Sequence, residues 1–361
     1  MSINKLRDSN IELFRLVLMA LIVVQHFISH GLNVAGSLLG TASPILSETQ
    51  TYFAFGILSF TLVAVNAFIL ISGYYSIKLT AGRLFKLYAF CAFFSLLSYL
   101  LQVYLLHTEV ISTEKLFTRT FLVFSRTNIW FIRDYVYLML LSPILNKVEG
   151  NKSLILAIIS LLFINVWAGF VMGVKEVING YNLPNFLLLY IIGRYLHNSK
   201  NVSWMNLPKL TYLGIYIVIC CIAGIINITV ANTSIINNTP LAFRIIFGYN
   251  NPLLISASIA FFLFFLHIKI QSFFINKWAT GCLSIYLFHE GTHLFYDNLR
   301  TSYINDSTLR FSLLFVAYFL TIMIVPLIIN RLRIMLTGNI ESNISIKLDS
   351  AIFKIANIIN K

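Results

Sequence analysis

Charge is scarce in this sequence. Of its 361 residues only 13 are Asp or Glu and 26 are Lys or Arg, so charged side chains make up 11% of the chain against 58% hydrophobic. The mean hydropathy is +0.82. A soluble domain of this length cannot bury so much apolar side chain, which leaves the class of polytopic membrane proteins. Cysteine is scarce as well. Cys91, Cys220, Cys221 and Cys282 all lie in apolar stretches, where they read as reduced packing residues, and no disulfide framework is implied. Basic and aromatic residues do not interleave as they do on a nucleic-acid surface. The formal charge of +13 is instead spread singly over short loops, which suits orientation in a membrane. Internal repeats and low-complexity segments are absent. The opening MSINKLRDSN leads into an apolar run long enough to span, with no small-residue cleavage site, so no cleaved signal peptide is expected.

What is present is a series of apolar runs near the ~20 residues that cross a bilayer. Ten stand out, near 10–30, 53–73, 84–106, 130–147, 153–172, 183–197, 209–230, 252–268, 278–297 and 310–331. The sequence therefore predicts an all-α, polytopic membrane bundle of about ten transmembrane helices with both termini on one side. With the N-terminus inside, 17 Lys and Arg fall in inner segments and eight in outer loops, with Arg15 inside the first span. The positive-inside rule thus makes both termini cytoplasmic. Residues 1–337 form the transmembrane unit, and no appended soluble domain is expected. In the tail, 338–361, Ile344, Leu348, Ile352, Ile355 and Ile359 recur at helical spacing with Lys347, Asp349 and Lys354 elsewhere. A helix lying on the inner membrane surface fits this pattern; a solvated tail is the alternative.

The first span carries ionisable residues that an apolar helix does not need. In IELFRLVLMALIVVQHF, Glu12, Arg15 and His26 stand among apolar neighbours. Eleven residues from Arg15 to His26 are about 1100° of rotation, roughly 20° past three turns, so both share a face about 16 Å apart along the axis. Glu12, three residues before Arg15, is placed for a salt bridge. Ionisable groups inside a membrane usually face a cavity or a pathway. The plainer reading is that Arg15 snorkels to the headgroups and His26 is interfacial.

With Glu-x-x-Arg, ten residues and then His, the chain resembles the membrane acyltransferases of the acyltransferase 3 type, many of which acetylate sugars of bacterial envelope polysaccharides. AFILISGYYSI (67–77) looks like that family's Ser-Gly-aromatic segment, followed by basic residues in GRLFKLY (82–88). NIWFIRDYVYLMLLSPIL (128–145) is similar to its Trp-Phe…Tyr…Leu-Ser-Pro helix, and CLSIYLFH (282–289) to its late Ser-x-x-Tyr-Leu-x-His helix. The resemblance covers roughly residues 5 to 335. One departure stands out: the family often has R-x-x-R after the second span, whereas this chain has Arg83 and Lys86. Lysine lacks the bidentate fork that grips phosphate.

The resemblance implies that a cytoplasmic acyl-CoA, acetyl-CoA by preference, gives its acyl group to a hydroxyl of an envelope glycan or its lipid-linked precursor at the cytoplasmic membrane. The expected partners are thus acyl-CoA, a glycan acceptor and the bilayer, with no nucleic acid and no metal. An imidazole suits a general base because its pKa lies near neutrality. His26 fills that role, or carries the acyl group itself. Arg15, Arg83 and Lys86 are the expected CoA-binding groups, with Ser72 beside them, although Ser72 and Gly73 also suit close helix packing. Trp130, Arg133, Asp134 and Tyr135 open the fourth span on the outer side, where they contact a sugar or form an interfacial aromatic with an ion pair. A glycan transporter or polymerase-like protein, with the same residues lining a glycan path, is the other membrane reading.

One further motif competes. HEGTH (289–293) fits the H-E-x-x-H pattern of zinc proteases, with His289 and His293 at i and i+4 on one helix face. A third ligand is lacking nearby. Asp297 on a regular helix would stand about 12 Å from His289, too far for ligands that sit about 2 Å from one metal ion. His26 and His30 are the remaining candidates. In the acyltransferase reading, His289 instead lies on the ninth span at the depth of His26, with Glu290 and His293 at the acceptor entrance.

Overall fold

A computed structural model describes residues 9–125, 129–232, 239–291 and 295–359. Among them 81% are helical and none forms a strand. The first half holds α1 (Asn10–His26), α2 (Val34–Leu38), α3 (Glu48–Thr61), α4 (Val63–Tyr75), α5 (Ala81–Tyr104), α6 (Thr113–Thr120), α7 (Trp130–Leu145) and α8 (Asn151–Leu162). The second holds α9 (Leu183–Asn198), α10 (Lys209–Asn232), α11 (Thr239–Phe247), α12 (Pro252–Leu266), α13 (Phe273–Ala279), α14 (Cys282–Gly291), α15 (Phe295–Asn305) and α16 (Thr308–Ile359).

Seven segments of the described residues are long and apolar enough to cross a membrane: Asn10–Gly31, Glu48–Tyr75, Ala81–Tyr104, Asn151–Val171, Lys209–Ala231, Pro240–Leu266 and Thr308–Lys354. The other three segments expected from the sequence are shorter. Helices α7 and α9 have 16 residues each, about 24 Å of rise. The segment at 278–297 is divided, with α13 ending at Ala279 and α14 beginning at Cys282. Much of α9 and α14 is packed inside the protein, whereas α7 exposes Tyr137, Leu140 and Ile144. In α9, Phe186, Leu188, Leu189 and Tyr190 are wholly buried, as are Ile285 and His289 in α14. Short or broken helices at membrane depth persist where neighbouring protein satisfies their ends.

Helix α1 is central and touches α3, α4, α12, α13, α14 and α16. Its start is stitched to the end of α12: the Asn10 side chain donates to the carbonyls of Phe265 and Leu266 at 3.2 and 3.1 Å. These are carbonyls that the end of a helix leaves without intrahelical partners. Helix α4 crosses α9 with the two backbones almost touching. A Cβ on Gly73 would lie 2.1 Å from the Tyr190 carbonyl oxygen, and one on Gly193 would lie 2.5 Å from that of Leu70. Small residues at a crossing permit this approach inside a membrane.

Buried asparagines join the same region to the second half of the chain. Asn66 donates to the Tyr249 carbonyl at 2.9 Å, and Asn250 donates to the carbonyls of Asn165 and Val177 at 2.8 and 3.1 Å. Asn66, Asn165, Asn185 and Asn250 are all fully buried. Helix α16 continues unbroken through position 338, so the division expected there lies within one helix. Beyond that point Ser345 is buried, and Asp349 accepts a 2.8 Å hydrogen bond from the Gly82 amide at the start of α5.

Gly73→Ala is expected to destabilise the protein by roughly 1–3 kcal/mol, the usual cost of overpacking, seen as a lower thermal midpoint in detergent. Gly214, where an added Cβ meets nothing within 4 Å, should accept alanine without loss. Equal midpoints for the two variants would contradict the α4–α9 contact.

Candidate active site

One face of α1 lines three cavities in succession. The first, at the Arg15 end and termed the inner chamber for its place before the neck, has about 220 Å³ and is bounded by Arg15, Met19, Phe68, Ser72, Phe131 and Tyr135, among others. Next comes a neck of about 20 Å³ whose walls include Met19, Phe68, Phe131, Tyr286 and His26. The outer chamber, of about 630 Å³, is bounded by Gln25, His26, Trp130, Tyr249, Asp297 and Arg300, with further aromatic side chains. Met19, Phe68 and Phe131 are common to inner chamber and neck, whereas His26, Trp130 and Tyr249 are common to neck and outer chamber. On α1 the lining residues recur as Arg15, Met19, Ile22 and His26, the i, i+4, i+7 and i+11 positions of one helical stripe.

At the inner end the Arg15 Nη1 donates to both Glu12 carboxylate oxygens at 3.2 Å. The Glu12 side chain is 3% exposed and that of Arg15 33%. The buried carboxylate therefore orients a guanidinium that keeps further N–H donors toward the chamber. Ser72 joins the same wall. Its hydroxyl donates to the Phe68 carbonyl at 3.0 Å and lies 3.4 Å from the Tyr135 hydroxyl. The close packing foreseen for the Ser72–Gly73 pair falls to Gly73, and Ser72 faces the cavity. Arg83 and Lys86 lie on the first turns of α5, exposed and outside the lining of either chamber. The Arg83 guanidinium donates to the Lys78 carbonyl at 2.9 Å.

At the boundary of neck and outer chamber, two histidines 263 positions apart meet. His26 Nδ1 and His289 Nε2 are 2.9 Å apart, and His289 Nδ1 is 2.9 Å from the Ile285 carbonyl oxygen. A carbonyl only accepts, so Nδ1 of His289 carries its proton and Nε2 of the neutral ring is an acceptor. With both rings neutral, His26 donates from Nδ1 and its Nε2 is unprotonated. A base oriented by a second group through its other nitrogen is the arrangement that activates hydroxyl nucleophiles. The His30 ring lies 5.6 Å from His26, centroid to centroid.

The outer chamber has an aromatic wall. Trp130 lies 5.0 Å from Tyr181 and 5.8 Å from Tyr249, and the two tyrosine rings are 4.6 Å apart. Gln25 donates to the Tyr249 hydroxyl at 3.0 Å. Desolvation within this wall, with the Tyr249 hydroxyl adjacent, holds the Tyr181 phenol well above its ordinary range. It therefore stays neutral and donates to the Phe247 carbonyl at 3.2 Å. The rim is set by Arg300. After His26 the helix widens into a π-helical turn, Phe27–Gly31, a feature common at functional sites. Arg300 donates to the carbonyls of Gly31 and His30 at 3.1 Å, to Asn33 Oδ1 at 2.9 Å and to Asp297 Oδ1 at 3.1 Å.

The match to a family model described as an acyltransferase domain runs over residues 8–331. The chain belongs to the acyltransferase 3 family. Comparison with curated proteins and with solved structures returned no match. This acyltransferase is a helical membrane protein, and the family match spans all three cavities.

The residues expected to form one acceptor site on α7 are divided among three environments. Trp130 lines the outer chamber, Tyr135 lines the inner one, and Arg133 and Asp134 form a 3.0 Å ion pair that lines neither. On a helix Tyr135 points about 140° away from Trp130, so these two face different chambers, while Arg133 and Asp134 are held by each other. His293 and the Glu290 side chain lie outside the described residues. Among the described residues no three His, Cys, Asp or Glu side chains converge as a metal site would require. Sequence reasoning missed Gln25, Tyr181, Tyr249 and Arg300. The run Tyr249-Asn250-Asn251-Pro252 before an apolar helix was a usable signal, whereas Arg300 sits in a segment without pattern.

Arg300→Ala removes three hydrogen bonds to the segment after His26, at His30, Gly31 and Asn33, and a fourth to Asp297. Hydrogen–deuterium exchange of residues 27–36 should accelerate, and stability should fall by roughly 1–3 kcal/mol. Unchanged exchange there would refute a bracing role for Arg300.

Proposed function

We propose that this family member is an O-acyltransferase of the cytoplasmic membrane that moves acetyl, or another short acyl group, from cytoplasmic acyl-CoA to a hydroxyl of an envelope glycan or its lipid-linked precursor. The observation carrying this reading is the run of three cavities along one face of α1, with Arg15 at one end and His26 held by His289 at the narrow point. A transfer between compartments needs such a path, because donor and acceptor approach the same atom from opposite sides.

In this reading about ten helical segments cross or enter the bilayer, both termini are cytoplasmic, and the inner chamber opens to the donor side. Arg15 binds an anionic or carbonyl group of the donor, and Arg83 and Lys86 attract CoA phosphates at the surface. The path of about 16 Å from Arg15 to His26 suits the long, thin arm that carries the thioester. On the other side, the Trp130–Tyr181–Tyr249 wall offers ring faces for a sugar, and Gln25, Asp297 and Arg300 offer hydrogen bonds.

The acceptor hydroxyl gives its proton to His26 Nε2 as its oxygen attacks the thioester carbonyl carbon. The new C–O bond forms, the C–S bond breaks, and the proton passes from His26 to the departing thiolate. His289 receives the His26 Nδ1–H bond throughout, keeps the tautomer fixed and strengthens its hold when His26 becomes charged. Glu12 acts at a distance from the reaction by orienting Arg15.

His26→Ala should lower glycan acylation by roughly 10²–10⁴-fold, the usual contribution of a positioned base, with the protein still present in the membrane. Mass spectrometry of surface glycan with and without the protein reads both the acyl group and the sugar; unchanged ester content in the variant would end the role assigned to His26. Replacing Arg83 and Lys86 by glutamate should weaken acyl-CoA binding. Unaltered affinity in a direct binding measurement would remove both from the donor site.

A further inference from the structure

The neck differs from the chambers it joins in both size and chemistry. Its volume is about 20 Å³, room for roughly one water molecule, whereas the chambers hold about 220 and 630 Å³. The side chains around it are Met19, Ile22, Val65, Phe68, Phe131 and Tyr286, closed toward the outer side by His26 with Trp130 and Tyr249. None is a carboxylate, lysine or arginine. Met19 is 2% exposed and Tyr286 5%, and Phe131 is braced by rings on both flanks, with Phe68 6.4 Å and Tyr286 5.8 Å away.

Rings at these distances resist displacement, because packed interiors have little free volume. Met19 is the exception, since its unbranched side chain changes shape easily. A charged group entering this collar leaves water and meets no carboxylate, lysine or arginine among the described residues that line it, which is costly.

We infer that the collar of Met19, Phe68, Phe131 and Tyr286 limits the transferred group to a small, uncharged acyl such as acetyl. This rests on the reading that the donor thioester reaches His26 from the Arg15 side. The collar then holds the acyl carbon against His26 as the acceptor oxygen bonds to it and the thiolate departs with the proton. Branched acyl groups are stopped by volume and carboxylated ones by desolvation. Pocket discrimination of this kind is worth about tenfold to two-hundredfold per misfitted methylene.

The test uses native membranes containing the full-length protein, with acetyl-, propionyl-, isovaleryl- or succinyl-CoA as sole donor and ester formation on membrane glycan read by mass spectrometry. Acetyl should be transferred fastest, propionyl more slowly, and isovaleryl and succinyl hardly at all. Met19→Ala should raise the isovaleryl-to-acetyl ratio roughly tenfold or more and leave succinyl rejected; Phe68→Leu should shift the ratio in the same direction. Each readout is a ratio of donors on one membrane preparation, so a smaller amount of folded variant cancels. Wild-type protein that uses isovaleryl or succinyl as well as acetyl would overturn the proposal. Ratios unmoved in both variants would do the same. Acetyl transfer with a flat donor profile sinks the collar alone, whereas no transfer from any acyl-CoA sinks the donor reading and the collar with it.

Discussion

A polar atom in the membrane interior has no water to turn to, and this constraint shapes the protein more than any single contact. Each unsatisfied group there costs several kcal/mol. The chain answers with protein partners drawn from distant parts of the sequence. Asn10 takes up the orphan carbonyls of α12, Asn250 holds the turn at Val177, and Arg300 collects the carbonyls that the π-helical turn exposes. These bonds join elements that are far apart in the chain.

The same constraint makes the His26–His289 contact informative. Two imidazoles facing each other between apolar helices must agree on who donates, and the Ile285 carbonyl settles the matter by fixing one proton. Ion pairing does comparable work at the inner end, where the buried Glu12 carboxylate pairs with Arg15. The Arg133–Asp134 pair marks a contrast. It is equally close but opens on neither chamber, and Asp134 Oδ2 accepts no hydrogen bond among the described residues.

Much of this was legible in the sequence. The apolar runs gave the helical membrane class, and the eleven-residue interval put Arg15 and His26 on one face because helical geometry leaves little choice. SIYLFH placed His289 at a comparable depth. What could not be read was which way α7 turns, since WFIRDY is polar and aromatic on every side and only its neighbours decide that Trp130 and Tyr135 face different chambers. A sixteen-residue helix such as α9 reads alike whether lipid or protein surrounds it, and only the folded bundle shows that Phe186, Leu188, Leu189 and Tyr190 are wholly buried. The Trp130–Tyr181–Tyr249 wall was invisible for another reason: three rings from three separate segments meet only in the folded bundle.

The stripe on α1 also governs how this architecture can vary. Arg15 and His26 are three turns apart, and a helix preserves a face only when its length changes by three or four residues at a time. Inserting one residue between them would swing His26 about 100° away from His289, while a whole added turn would keep the face and lengthen the reach by about 5.4 Å. The distance between donor grip and reacting atom is thus not continuously adjustable. It moves in steps of one helical turn, so the chain is bound to donors whose reach matches one of those steps.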